Sequence, residues 1–336
     1  MAKLKVDKIE AQNSTFVKLI RKLPDGSEVE ADDSQLNNIF RRPTTVTGQQ
    51  QYTSYGTYSW VVPADVYDVH VVCIGGGGGG YDGWANPSGG GGGLGWKNNI
   101  PVTPGETIQV QVGQGGYSYD EQSSAPFGGS FRMNGGTSYF KTDQTVAGFG
   151  GGNANVQNAS GPNNNSTGGG YVGDGGGAGG HASNYQGGGG AGGYGNRGGN
   201  SQETNFPGYN DDTGGAGGGA YYSSTYGTGA GGGTGLNGQG PLAGGNGNSF
   251  YLPWTGYNQN PSQGGGGAGR AGGNNGGYGE NPFSGTAQSS SNIPGGDFGG
   301  GGGGPGTSWP SASGRGGTGG VRIIWGPNRS FPQNAT

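Results

Sequence analysis

The sequence predicts a mainly β protein. A small N-terminal module, a β-hairpin with a helix, precedes strands that bracket a bundle of glycine rods with irregular loops. Two observations carry this. Glycine supplies 91 of 336 residues, and only Gly26, Gly48 and Gly56 precede the run Gly75–Gly80. Short strand-like segments flank the glycine on both sides, the last being Val321–Trp325. Glycine has no side chain to bury and loses more backbone freedom on folding than any other residue. A region this rich in it is either disordered or held by its own backbone hydrogen bonds. The flanking strands favour the second.

The N-terminal module spans residues 1–43. Phe16–Leu23 reads as a strand, Pro24–Ser27 as a turn and Glu28–Ala31 as a second strand. Pro24 presets φ, and Gly26 supplies a positive one. Asp32, Asp33 and Ser34 then precede Leu36, Ile39 and Phe40 at helical spacing, an acidic start that suits a helix N-terminus. A hairpin and one short helix are marginal alone. The module is expected to dock on copies of itself or on a larger assembly, through Phe16, Leu19, Leu23, Leu36, Ile39 and Phe40.

Residues 44–336 form the second predicted domain. Gln49–Tyr58 is polar and aromatic. Tyr58–Val62 and Tyr67–Ile74 read as strands split by Pro63–Asp65, the second apolar on both faces as in a central strand. Trp96–Val102, the strictly alternating Thr107–Val112, and Thr137–Phe140 follow. Glycine runs, some carrying Ala178, Ala191, Ala216 or Ala268, fill the interval up to Gly304. A polyproline II strand has no internal hydrogen bonds, so its N–H and C=O groups point outward. Glycine alone lets such rods approach closely enough to bond sideways, with alanine expected only at the periphery. Ordering a residue costs about 1–2 kcal/mol, and a net hydrogen bond returns about 0.5–1.5 kcal/mol. The rods are therefore near break-even and need the flanking sheets as clamps.

Composition removes several function classes. Hydrophobic residues are only 28 % of the chain, so a large apolar core is not expected. The net charge of −4 lacks the basic footprint that nucleic acid requires. Cys73 is the one cysteine, so no intrachain disulfide can form. The opening MAKLKVDKIE has no signal-peptide core, and no stretch approaches the roughly 20 apolar residues of a membrane span. Synthesis in a cytosol follows as an expectation. Gly193–Gly198 matches G-x-G-x-x-G, but in this composition chance matches arise and no βαβ context surrounds it. Two separated histidines and one cysteine give no zinc ligand set. Asp211–Asp212 reads as a solvated acidic turn. No cofactor, metal or catalytic residue is assigned.

Aromatic residues in the polar spacers stand out: Trp84, Tyr209, Tyr221, Tyr222, Tyr226, Trp254, Tyr257 and Trp309. Tyrosine and tryptophan give large contact area at low entropy cost, with Ser, Gly and Asn adaptable beside them. They are candidate receptor-binding residues; the competing reading is that they cap the bundle ends.

Thr57–Pro63, Val69–Gly76, Val102–Gly116, Gly135–Phe140 and Gly319–Trp325 together resemble the glycine-rich domain of bacteriophage tail fibres and receptor-binding adhesins. Leu4–Ile9 is similar to the openings of cyanophage virion proteins. The resemblance implies a β-sandwich base, a polyglycine II bundle and distal loops that bind a bacterial surface glycan or outer-membrane protein. It also implies a virion location, a homotrimer and tail-protein partners. The chain lacks a long shaft or heptad repeat, so a short fibre or tip adhesin is expected. The alternatives are a purely structural capsid or collar fibre, an ice-binding polyglycine protein, which would show Thr-x-x repeats, and a depolymerase, which would need an acid pair.

Overall fold

The computed structural model describes residues 8–13, 16–22, 28–30, 44–80, 88–117, 134–152, 166–182, 188–200, 231–239, 295, 298–302 and 314–335. The chain forms two compact units, Met1–Thr44 and Thr45–Thr336. The first holds a three-stranded antiparallel sheet of β1 (Lys8–Asn13), β2 (Phe16–Lys22) and β3 (Glu28–Glu30). β1 was not expected from the sequence. Register places Ile9 opposite Leu19 and Ala11 opposite Val17, whereas Glu10 faces Lys18 and Lys22 faces Glu28. The expected helix over Leu36–Phe40 lies outside the described residues.

The second unit is built on two five-stranded antiparallel sheets. The strands of one, in spatial order, are β11 (Tyr171–Val172), β10 (Val146–Gly148), β9 (Ser138–Phe140), β8 (Thr107–Val112) and β5 (Gly56–Val61). The other runs β12 (Gly175–Gly177), β7 (Leu94–Pro101), β6 (Asp68–Ile74), β13 (Gly320–Trp325) and β4 (Gly48–Tyr52). β6 is central, as its apolar run predicts, and β13 lies inside the sheet beside it. β4 was hidden in the polar stretch Gln49–Tyr58 because an edge strand exposed at Gln49, Gln50 and Gln51 shows no apolar alternation. β10, β11 and β12 are two or three residues long and are fixed by their partners.

Side chains from both sheets fill the space between them. Trp60, Val69, Val71, Cys73, Ile108, Val110, Phe140, Val321, Ile323 and Trp325 form this core. The Trp60 ring lies 5.9 Å from Phe140 and 5.7 Å from Trp325. A second cluster covers the outer face of the β6–β13 sheet, where Val72, Ile74, Leu94 and Ile324 meet Tyr194, Leu236, Phe331 and Ala335. Edge glycines are shielded by indoles: a Cβ on Gly48 would strike the Trp325 ring, and one on Gly175 the Trp96 ring.

The strands do not stop where the glycine begins. β6 pairs Ile74 with Leu94 on β7, and the same register continues as Gly75 N–H to Gly93 O (2.9 Å) and Gly78 N–H to Gly90 O (2.8 Å). β6 pairs Ile74 with Gly320 on β13, and Gly77 then bonds Gly317 O at 2.9 Å and Gly80 bonds Gly314 O at 2.8 Å. The ladders of β9 with β10 and of β10 with β11 extend likewise, through Gly135 to Gly151 O and Gly152 to Thr167 O. Bonds repeat every third residue, the period of a polyproline II rod. With side chains gone the two sheets also bond to each other. Gly76 donates to Gly136 O at 2.9 Å, while Gly151 donates to Gly76 O and Gly116 to Gly77 O, both at 2.8 Å. Gly302, from a rod outside both sheets, donates to Gly78 O at 2.9 Å. The rod Gly75–Gly80 therefore bonds to six neighbours, parallel and antiparallel, as a polyglycine II lattice requires.

Interior positions of this lattice admit no side chain. A Cβ on Gly77 would overlap Gly300 O and one on Gly91 would overlap Gly190 O, well inside the 3.0 Å that real Cβ atoms essentially never cross. The expectation that alanine stays peripheral needs correction. Ala178 is half-buried, but Ala191 is fully buried. Its methyl occupies room beside Gly299, where the neighbouring chain turns with φ of +94°. Ala216 and Ala268 lie outside the described residues.

Arg322, on the outer face of β13, is 3 % exposed. Its guanidinium donates to Leu236 O (3.3 Å), Gln49 Oε1 (2.6 Å) and Ala335 O (2.8 Å). Arg329 also donates to Ala335 O, at 3.1 Å. Burial pushes the Arg322 guanidinium below its ordinary value. These bonds pin the segment after β13 over the second core cluster, where Asn98 binds the Phe331 backbone at both N–H (2.9 Å) and C=O (2.7 Å).

Three predictions follow from this packing. Gly77→Ala and Gly91→Ala should each cost about 3 kcal/mol or more by denaturant melt, because backbone must move. Gly105→Ala, at φ of +81° with nothing within 4 Å, should cost only about 1–2 kcal/mol of strain. Arg322→Met should lower stability by about 1–3 kcal/mol, leaving Leu236 O without its donor. Burial raises the Cys73 thiol from its ordinary 9.0 and the Tyr194 phenol from 10.0. Both stay protonated when folded, so unfolding releases their protons above those values. Stability should be flat below pH 9 with respect to these groups, fall by about 1.4 kcal/mol per pH unit above pH 9 through Cys73, and fall by about as much again per unit above pH 10 as Tyr194 joins. Cys73→Ala should remove the part that begins near pH 9.

Candidate functional site

Strands occupy one end of the glycine bundle. Away from the strands the described rods are tied to one another around Gly80, Ser88, Gly89, Ser166, Ala182, Asn200, Gly302 and Gly314. Hydrogen bonds hold these points together. Gly80 donates to Gly314 O at 2.8 Å, and Gly89 to Gly302 O at 2.9 Å. Ser166 and Ala182 exchange bonds of 2.7 and 3.0 Å. The Ser166 hydroxyl donates to Ser88 O at 2.6 Å, and both serines are buried. The His181 N–H donates to Asn200 Oδ1 at 2.9 Å. The Arg315 guanidinium stacks 4.5 Å from the centre of the Tyr117 ring. The arrangement follows from the lattice: a rod that descends from one strand must return beside a rod that ascends to another.

In sequence, Trp84 falls between Gly80 and Ser88, Tyr209, Tyr221, Tyr222 and Tyr226 between Asn200 and Gly231, and Trp309 between Gly302 and Gly314. Trp254 and Tyr257 belong to the stretch after Gln239, which starts near the sheets, where Gln239 donates to Pro332 O. All eight aromatics lie outside the described residues. Of the proposed attachment residues, Phe16 and Leu19 are on β2. Leu23, Leu36, Ile39 and Phe40 lie outside the described residues.

The nucleotide-like match at Gly193–Gly198 is a packed turn. Tyr194 is buried, its hydroxyl donates to Gly235 O and accepts from Gly238 N–H, both at 3.0 Å, and its carbonyl accepts from the Trp96 indole at 2.8 Å. The loop's own backbone closes on itself, Gly193 N–H bonding Asn196 O at 2.9 Å. His70 sits in the bulge between Val69 and Val71, its Nδ1 3.1 Å from Asn98 Oδ1. No group of three His, Cys, Asp or Glu able to hold a metal occurs among the described residues. No helix there is long and apolar enough to cross a membrane.

One feature escaped the sequence reading. On the outer face of the β5–β8–β9 sheet, Tyr55, Gln111, Gln114, Asn134, Thr137 and Tyr139 line a groove of about 420 Å³. The alternation of Thr107–Val112 already places Gln109 and Gln111 on that face. Nothing local in sequence joins them to Tyr55 or Asn134.

No curated protein matches the chain significantly. A family model for a glycine-rich domain matches residues 53–326, an interval that opens in the loop before β5 and closes just after β13. The match therefore covers the sandwich and the bundle together, and the chain belongs to this glycine-rich domain family.

Proposed function

We propose that the chain is a phage virion fibre or tip adhesin. Residues 1–43 attach it to other virion tail proteins, and the glycine bundle presents spacers that recognise a bacterial surface glycan or outer-membrane protein. The observation that supports this reading is the hydrogen bonding between rods away from the sheets, Gly80 to Gly314, Gly89 to Gly302 and Ser166 to Ala182. Backbone bonds fix these points, while the sequences between them differ in length and composition. Binding in this reading is non-catalytic and multivalent, with weak contacts summed over three copies. The alternative is a structural capsid or collar fibre without a receptor, supported by the same rigidity.

The two readings differ in one measurement. Full-length purified protein should bind host cells saturably and block adsorption of the parent virion. Replacing Tyr81–Pro87 with a glycine-serine linker of equal length should reduce binding at least fivefold and leave the melting temperature unchanged. Absence of both binding and blocking by the unaltered protein would leave the structural-fibre reading.

A further inference from the structure

We infer that the groove beside β8 is a binding subsite for a neutral, polyhydroxylated ligand, a glycan of one or two sugar rings. The groove is a consequence of the lattice. Along β8, side chains stand out from the sheet at Gln109 and Gln111; beyond Val112 the chain becomes a rod and that relief falls away. Gly113, Gly115 and Gly136 make a floor of bare backbone, and Tyr55, Gln111 and Tyr139 stand above it. Backbone approach of this kind lets a ring lie against peptide groups as well as side chains.

The walls are preorganised. The Tyr58 hydroxyl donates to Ser54 O at 2.8 Å, fixing the turn that presents Tyr55, which is 58 % exposed. Thr57 Oγ1 donates to Gln111 Oε1 at 2.6 Å, and the Gln111 amide donates to Val112 O at 3.2 Å. Gln109 Nε2 donates to the Tyr139 hydroxyl at 2.9 Å, leaving that hydroxyl's proton free to point outward. The Gln114 amide is likewise oriented, donating to the Tyr117 hydroxyl at 2.7 Å.

Two features select the ligand class. Among the described residues none that lines the groove carries a charge, so an ionic ligand would lose hydration without a counter-charge from them. Two tyrosine rings with amide and hydroxyl groups between them match a molecule with apolar ring faces and hydroxyl edges. A volume of about 420 Å³ is at the small end of ligand clefts and suits one or two pyranose rings. The subsite lies on the outer face of the β5–β8–β9 sheet. It goes beyond the adhesin reading and does not require it.

The test is titration of the full-length protein with lactose, maltose and mannobiose, followed by calorimetry and by saturation-transfer NMR, up to about 20 mM, where a Kd near 1 mM is readily seen. At least one disaccharide should bind saturably. Tyr55→Ala and Tyr139→Ala should each weaken it at least fivefold, while Tyr171→Ala, an exposed ring outside the groove, should leave it unchanged. Equal melting temperatures across the variants would exclude unfolding as the cause. Saturable binding of none of the three sugars overturns the inference, as does binding that Tyr55→Ala and Tyr139→Ala leave unchanged. Failure of cell adsorption with sugar binding intact would count against the adhesin reading alone.

Discussion

Lateral N–H···O bonding between glycine rods is the constraint on which the rest depends. The rod Gly75–Gly80 reaches six neighbours by backbone alone, with donors and acceptors repeating every third residue. At positions such as Gly77 and Gly91 the lattice tolerates no Cβ, because it would point at a carbonyl oxygen of the next rod. This accounts for a composition that would otherwise signal disorder. Backbone groups that a packed core would have to hide are here the cohesive element.

A lattice of this kind has no intrinsic register, since one glycine is the same as another. The sheets supply it. Ladders set by Ile74 with Leu94 and with Gly320 continue into the rods without a slip. The side chains that fix those ladders are confined to the space between the sheets and to the outer cluster around Tyr194 and Phe331. Stacked sheets with side chains lie roughly 10 Å apart, but neighbouring strands lie only about 4.8 Å apart. The fold passes from the first spacing to the second within a few residues, at Gly148 and Gly95, where the two sheets already meet backbone to backbone. The same transition leaves the ledge beside β8.

Function, in this architecture, is a matter of what the lattice holds still. Bonds between Gly80 and Gly314 and between Ser88 and Ser166 tie the rods together away from the sheets. In the adhesin reading proposed above, recognition could change there without altering the scaffold. The packed turn at Gly193–Gly198 illustrates the opposite case, a segment with a ligand-binding pattern whose polar groups are consumed internally.

The sequence by itself determined the β class, the central strand β6, the strand β13, the alternating β8 and the role of glycine as packed scaffold. Apolar runs, strict alternation and the absence of a Cβ are local properties, and they act locally. Tertiary structure decided the rest. β4 is an edge strand with polar exposed residues, and β10 to β12 are two or three residues long, so neither carries a periodic signal. Ala191 is interior only because the chain turns at Gly299. The groove joins Tyr55, Gln111 and Asn134, residues far apart in sequence, because β5, β8 and the rod before β9 become neighbours only when the sheet forms. Which glycine meets which was likewise beyond the sequence, since identical residues carry no address until flanking side chains set the register.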